Sequence, residues 1–124
     1  MTRRELIEYC LTFPDAYEDY PFRDNGGSEL PTAAMRHRLN GKVFALILER
    51  GGLCANLKCE PFRADFLRRV YEGVTPGFHM NKEHWNSVFP NSDVPEDELH
   101  AMIYESWQLT RPKSRKADAG KTSL

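Results

Sequence analysis

The sequence predicts an α+β fold of two layers, an antiparallel sheet with helices packed on one face, in an order of roughly one helix, three to four strands, a helix, two short strands and a helix. Three observations predict it. Apolar residues recur at three and four in separate stretches: Leu6, Ile7, Cys10 and Leu11, then Phe62, Phe66, Leu67 and Val70, then Leu99, Met102, Ile103 and Trp107. The runs between the first two stretches are strand-like with no helix separating them, which favours antiparallel neighbours. Asn40-Gly41, between two such runs, is the preferred pair for a tight hairpin. At 124 residues, with 40% hydrophobic and 28% charged side chains, the chain supports one modest core.

In chain order, Thr2 with Glu5 makes a capping-box pattern and Met1 with Leu6 a hydrophobic staple, so a helix is predicted over 3–12, stopped by Pro14. Tyr17 to Phe22 is aromatic and extended, and Pro21 confines it to an edge. Asp24 to Ser28 is a loop. A two-residue turn at Asn40-Gly41 sets Leu39 opposite Lys42, His37 opposite Phe44 and Met35 opposite Leu46 on the side that meets the helices. Arg38 then pairs with Val43 and Arg36 with Ala45, and the two arginines project from the other side. Leu53 to Lys58 reads as a third strand whose polar side carries Cys54, Asn56 and Lys58. Pro61 suits the first turn of the second helix and Gly73 its C′ cap. Val74 to Met80 and His84 to Phe89 read as short extended segments joined near Asn81-Lys82. Pro95 and the acids Glu96, Asp97 and Glu98 open the last helix. Residues 1–110 form the domain, and 111–124 a basic, flexible tail.

Composition narrows the function. No apolar run reaches the ~18 residues of a membrane span, and no apolar segment after Met1 marks a signal peptide. Cys10, Cys54 and Cys59, an odd number, read as reduced thiols, so a cytoplasmic location is expected. A net charge of −1 conceals a basic middle: residues 34–84 hold nine basic and five acidic side chains, whereas 85–110 hold five acids and no Lys or Arg.

Chemistry-bearing patterns are few. His79 and His84 are five apart, which fits no metal-ligand spacing, and Cys54 and Cys59 have no second pair. Neither a glycine-rich nucleophile elbow nor a GxGxxG run occurs. No catalytic, cofactor-binding or metal-binding residue is therefore assigned, no cofactor is implied, and the chain is expected not to be an enzyme. The remaining signal is electrostatic. Arg36, Arg38, Asn56 and Lys58 lie on the non-core side of neighbouring strands, with Lys82 and the His84-Trp85-Asn86 stretch bordering them. Cations beside an aromatic ring suit phosphate contact with stacking. A solvated sheet face carries the same residues for solubility, so the pattern by itself leaves both readings open.

The densest cluster of unusual residues adds a resemblance. Pro76-Gly77-Phe78-His79-Met80-Asn81-Lys82-Glu83-His84-Trp85-Asn86-Ser87-Val88, followed by Val94-Pro95-Glu96-Asp97-Glu98-Leu99, resembles the MmcQ/YjbR family of small bacterial proteins. Gly41-Lys42-Val43-Phe44 and Asn56-Leu57-Lys58-Cys59 resemble earlier family segments, and Ser106-Trp107-Gln108-Leu109 is similar to a closing S-Y-D-L pattern, with Trp107 and Gln108 departing from it. The likeness covers about residues 3–110, apart from the loop Asp24–Pro31. It implies a frataxin-like and secretion-chaperone-like fold, a double-wing arrangement and DNA binding, with no catalytic residues. Carried over by position, it implies Lys58, His79, Asn81, Lys82, His84, Trp85 and Asn86 as site residues. The resulting expectation is a non-enzymatic DNA-binding protein that contacts phosphates through a basic sheet face. The alternative is a protein- or peptide-interaction module, self-association included, that uses the exposed sheet face or an edge strand, with no nucleic-acid role.

Overall fold

The computed structural model describes residues 1–113, so most of the predicted tail lies outside the described residues. Helix α1 (Arg3–Leu11) starts as its capping box requires. The Glu5 N–H donates to Thr2 Oγ1 at 3.1 Å and the Thr2 N–H donates to the Glu5 carboxylate at 2.8 Å. Strands β1 (Ala16–Asp19), β2 (Ala33–His37), β3 (Val43–Glu49) and β4 (Leu53–Lys58) follow, then α2 (Pro61–Val70), β5 (Val74–Pro76), β6 (Trp85–Val88) and α3 (Glu96–Thr110). The six strands form one sheet in the order β1-β2-β3-β4-β6-β5. Every neighbouring pair is antiparallel, so the α+β architecture stands.

The core lies between one sheet face and the helices. Ala33, Met35, Ala45, Ile47, Ala55, Leu57 and Val88 meet Leu6, Ile7 and Cys10 of α1, Ala64 and Leu67 of α2, and Leu99, Met102 and Ile103 of α3. Two buried polar side chains tie this layer together. Ser106 Oγ donates to the Phe44 carbonyl and accepts from the Lys58 N–H at 2.8 Å, while His37 Nε2 lies 2.8 Å from Thr110 Oγ1.

The hairpin departs from the predicted two-residue turn. The His37 N–H donates to the Lys42 carbonyl and the Gly41 N–H to the His37 carbonyl, so four residues, 38–41, make the connection. Asn40 is engaged elsewhere: its Nδ2 donates to the Thr110 carbonyl at 3.0 Å, closing the C-terminal end of α3. A tertiary partner therefore outweighs the local turn preference. The pairing becomes Ala34↔Leu46 and Met35↔Ala45, one residue from the predicted Met35↔Leu46. Such a slip reverses the faces of β3. Ala45 and Ile47 point to the helices, and Leu46 and Leu48 to the other side, where they share a cavity with Phe22 and Phe78. The register then shifts again so that Arg36 pairs with Val43, leaving Phe44 as the extra residue of a bulge. The bulge returns Phe44 to the core, where its ring stacks 5.9 Å from Phe13.

Helix α2 also differs from its expected stripe. Leu67 is buried with Ala64, while Phe62 (89% exposed), Phe66 (52%) and Val70 (49%) face outward. Two arginines fix this rotation. Arg63 Nε donates to Glu105 at 2.8 Å on α3, and Arg68 Nε donates to Asn86 Oδ1 at 2.6 Å on β6. Gly73 is not a left-handed cap, because α2 ends at Val70. Close packing requires it instead: a Cβ there would fall 2.0 Å from Ser92 Oγ.

Candidate nucleic-acid interface

The sheet face turned from the helices divides into a covered part and an open end. Across the covered part run Ala34, Leu46, Asn56, Ser87 and Thr75, one from each strand from β2 to β5. The loop 20–32 and the turn 77–84 fold over them, enclosing a cavity of about 100 Å³. Asn56 is the fastening. Its Nδ2 donates to the Phe78 carbonyl at 3.0 Å, Ser87 Oγ donates to its Oδ1 at 2.6 Å, and the Phe78 N–H donates to Ser87 Oγ at 2.9 Å. This closed ring of hydrogen bonds pins the turn 77–84 to the sheet.

At the open end the register aligns a second set. Tyr17 pairs with Arg36 and Arg36 with Val43, while Lys58 pairs with Trp85 on the far side. Alternation along β1, β2, β4 and β6, and the bulge at Phe44 in β3, put these side chains on the face that Asn56 and Ser87 occupy, and all five are half-buried. Four strand steps of ~4.8 Å make the row about 19 Å long. Two turns leave this same end of the sheet. Residues 38–42 carry Arg38 and Lys42, residues 77–84 carry Lys82, and Lys58 ends the strand between them.

The predicted residues separate into three groups. Arg36, Arg38, Lys58 and Trp85 are brought together at the open end. Arg36 is partly neutralised, since its Nε donates to Asp19 Oδ2 at 2.9 Å and its Nη1 to the Gly41 carbonyl at 2.8 Å. Arg38 is exposed, its guanidinium 5.0 Å from the centre of the Tyr17 ring. The Lys58 ammonium makes no ion pair among the described residues. His79, Asn81, Lys82 and His84 belong to the turn 77–84. Exposed His79 adopts φ +58° with its ring 3.9 Å from that of Phe78. Asn81 Oδ1 accepts the Glu83 N–H at 2.9 Å, and Lys82 Nζ donates to the Gly77 carbonyl at 2.8 Å, keeping two further donors. His84 is half-buried, and its carbonyl accepts the Cys59 N–H at 2.7 Å.

The third group corrects the expectation of an accessible contact surface. Asn56 and Asn86 are each only 2% exposed. Asn56 is spent on the ring described above. Asn86 points the opposite way, to the helices, where it accepts from Arg68 Nε and donates from Nδ2 to the Ala64 carbonyl at 3.3 Å. Buried polar groups of this kind are retained because their hydrogen bonds are complete.

Three contributors escaped the sequence reading. Tyr17 joins the row because β1 pairs with β2, which no short-range pattern announces. Arg50 stacks its guanidinium 3.6 Å from the centre of the Phe78 ring, bracing the covering turn. Gly77 lies beneath Trp85, and a Cβ there would meet the Trp85 carbonyl oxygen at 2.9 Å. Among the described residues no group of three His, Cys, Asp or Glu side chains is placed to hold a metal ion, and no helix is long and apolar enough to cross a membrane. The three thiols are free and buried. Burial pushes Cys10 and Cys59 up to about 12 and Cys54 to about 11, so all three are protonated at neutral pH.

A family model described as YjbR matches residues 11–109, spanning the sheet, the covering turn and α3. The chain belongs to the YjbR family. Within it, the chain is 33% identical to the uncharacterised protein YyaQ of Bacillus subtilis (strain 168) over 123 residues, covering 90% of this chain and 99% of that protein. It is 40% identical to the uncharacterised protein YbdF of Escherichia coli O157:H7 over 73 residues, a match covering 58% of this chain and 60% of the relative. A crystal structure of a Pseudomonas syringae protein, 32% identical, superposes with a TM-score of 0.77 over 90% of this chain and all of the other. A Deinococcus radiodurans protein of known structure, 27% identical, gives the same TM-score over 99% of this chain and 88% of that one. The YjbR assignment thus rests on sequence and fold together.

Proposed function

We propose that this YjbR-family chain is a non-enzymatic, cytoplasmic DNA-binding protein that grips backbone phosphates at the open end of its sheet. The single observation that carries this reading is the placement of Arg38, Lys42, Lys58 and Lys82 on two turns and the strand end between them, with the rings of Tyr17 and Trp85 at either side of the row. The turns 38–42 and 77–84 correspond to the two wings of a double-wing arrangement. Arg36 contributes less net charge, because Asp19 already faces it. Four cations on phosphates give a slope of about −3.6 for log K against log salt.

Fluorescence anisotropy of labelled duplex and single-stranded DNA across a salt series tests the proposal. The expected result is binding at low salt with a slope near that value, lost in the Lys58→Glu, Lys82→Glu double variant. No binding at low salt, or a salt-independent response, would reject it. Preference for single strands over duplex would assign the two rings to base stacking.

A further inference from the structure

The outer face of α2 carries Phe62, the most exposed large hydrophobic side chain among the described residues. Phe62, Phe66 and Val70 succeed one another at four-residue intervals and remain 89%, 52% and 49% exposed. The helix packs inward through Ala64 and Leu67. Scaled to the 150–250 Å² that a phenylalanine can bury, the stripe offers roughly 350 Å² of apolar surface. A patch of this size matches the largest on a typical monomer, which is often functional. It lies on the helix side of the sheet, opposite the face that carries Tyr17, Arg36, Lys58 and Trp85, and the inference is independent of the DNA-binding reading.

The borders of the stripe decide what covers it. On the flank toward α3 stands Arg63, paired with Glu105 at 2.8 Å. On the opposite flank stand Asp65 and Arg69, paired with each other at 3.0 Å. Each border is charge-balanced and holds one cation and one anion. An anionic membrane surface selects a cationic border, and a strongly charged partner selects a border of opposite sign. A border with both signs in register matches itself. When two α2 helices are laid antiparallel about a two-fold axis through Phe66, Phe62 of one copy meets Val70 of the other. The 1.5 Å rise per residue then places Arg69 of one copy about 3 Å along the axis from Asp65 of the other. Both requirements of an isologous contact, apolar self-fit and charge self-fit, are met by one helix face.

We infer that α2 is a self-association surface, through which two copies of this chain pair antiparallel along Phe62, Phe66 and Val70. The apolar area is under half of the ~800 Å² per partner in a standard stable interface, so the dimer is weaker than the roughly micromolar affinity at which standard interfaces begin.

Sedimentation velocity of the full chain from about 10 to 500 µM is the test. The wild type is expected to shift from monomer toward dimer across that range. Phe62→Glu, at a side chain that supports nothing in the fold, is expected to raise the Kd at least tenfold with an unchanged circular dichroism spectrum. Asp65→Arg and Arg69→Asp are each expected to weaken pairing, and the two together to restore it, because the reversed pair remains self-complementary. A wild type that stays monomeric throughout would overturn the inference. So would a dimer indifferent to Phe62→Glu, or a charge-reversed double variant no better than its singles. A monomeric wild type that binds anionic vesicles through Phe62 would assign the stripe to a lipid surface and overturn it equally.

Discussion

Replacing Asn56 with leucine tests the construction of the site most directly. The side chain is 2% exposed and joins Phe78 and Ser87 in the closed hydrogen-bonded ring. Leucine fills a similar volume and would find apolar neighbours in Leu46 and Leu48. It would leave the Ser87 hydroxyl and the Phe78 carbonyl without their amide partner. A buried polar group left unpaired costs about 1–3 kcal/mol. Ser87 is fully buried and bears the larger share; the Phe78 carbonyl is partly buried and regains some solvation. Leucine burial offsets a fraction, so the net loss is about 2–3 kcal/mol. With a urea m-value of about 1.5 kcal/mol/M, the unfolding midpoint should fall by roughly 1.5 M. Ser87→Ala breaks the same ring from the other side. In a double-mutant cycle the two losses should therefore overlap by about 1 kcal/mol or more. Urea titration followed by circular dichroism measures both quantities. A midpoint within ~0.3 M of wild type, or strictly additive single losses, would refute the claim that this ring fastens the turn 77–84.

Two further outcomes follow from the same packing. Gly77→Ala should destabilise the fold by about 1–3 kcal/mol, because its Cβ meets the backbone carbonyl of Trp85, which cannot swing aside; it should also shift tryptophan emission, and unchanged stability by urea titration would show that the contact relaxes freely. Burial holds His37 below the usual imidazole pKa, so the unfolded chain binds the extra proton and stability falls as pH drops through about 6.5. Thermal melts between pH 8 and 5 should show this slope flattened in His37→Gln, which keeps a polar partner for Thr110.

Legibility varied with the range of the forces involved. The capping box of α1 depends on four consecutive residues and forms as written. The α+β class depends on which stretches are helical and which extended, and the folded chain keeps that order. The hairpin register failed because Asn40, read as half of a tight turn, bonds to Thr110, seventy residues away. The orientation of α2 failed for a related reason. Its apolar residues outnumber the positions it can bury, and Arg63 and Arg68, through Glu105 and Asn86, choose which face turns inward. At the site, the outward side of β2 and of Lys58 was legible from alternation alone. Asn56 lies on the expected side yet is buried, and Asn86 turns to the helices, because a polar residue on a strand gives no sign of whether water or another side chain completes its hydrogen bonds.

The stretch that distinguishes the sequence, Gly77 to Val88, is largely architecture. Asn81 closes its own turn on the Glu83 N–H, Lys82 reaches back to the Gly77 carbonyl, Ser87 fastens Phe78, and Asn86 anchors Arg68 of α2. What these contacts accomplish is to hold one rigid turn beside the Lys58 end of the sheet, with Trp85 laid over Gly77. On the other turn Arg38 rests against Tyr17, while Asp19 compensates Arg36 within the sheet. Cationic charge free for a polyanion therefore sits on the turns and the strand end more than on the middle of the face. A rigid turn can keep a cation at a fixed distance from its neighbours without holding it in an ion pair. Asn56 and Asn86, expected on a contact surface, are buried instead, where they set the spacing of the exposed side chains around them.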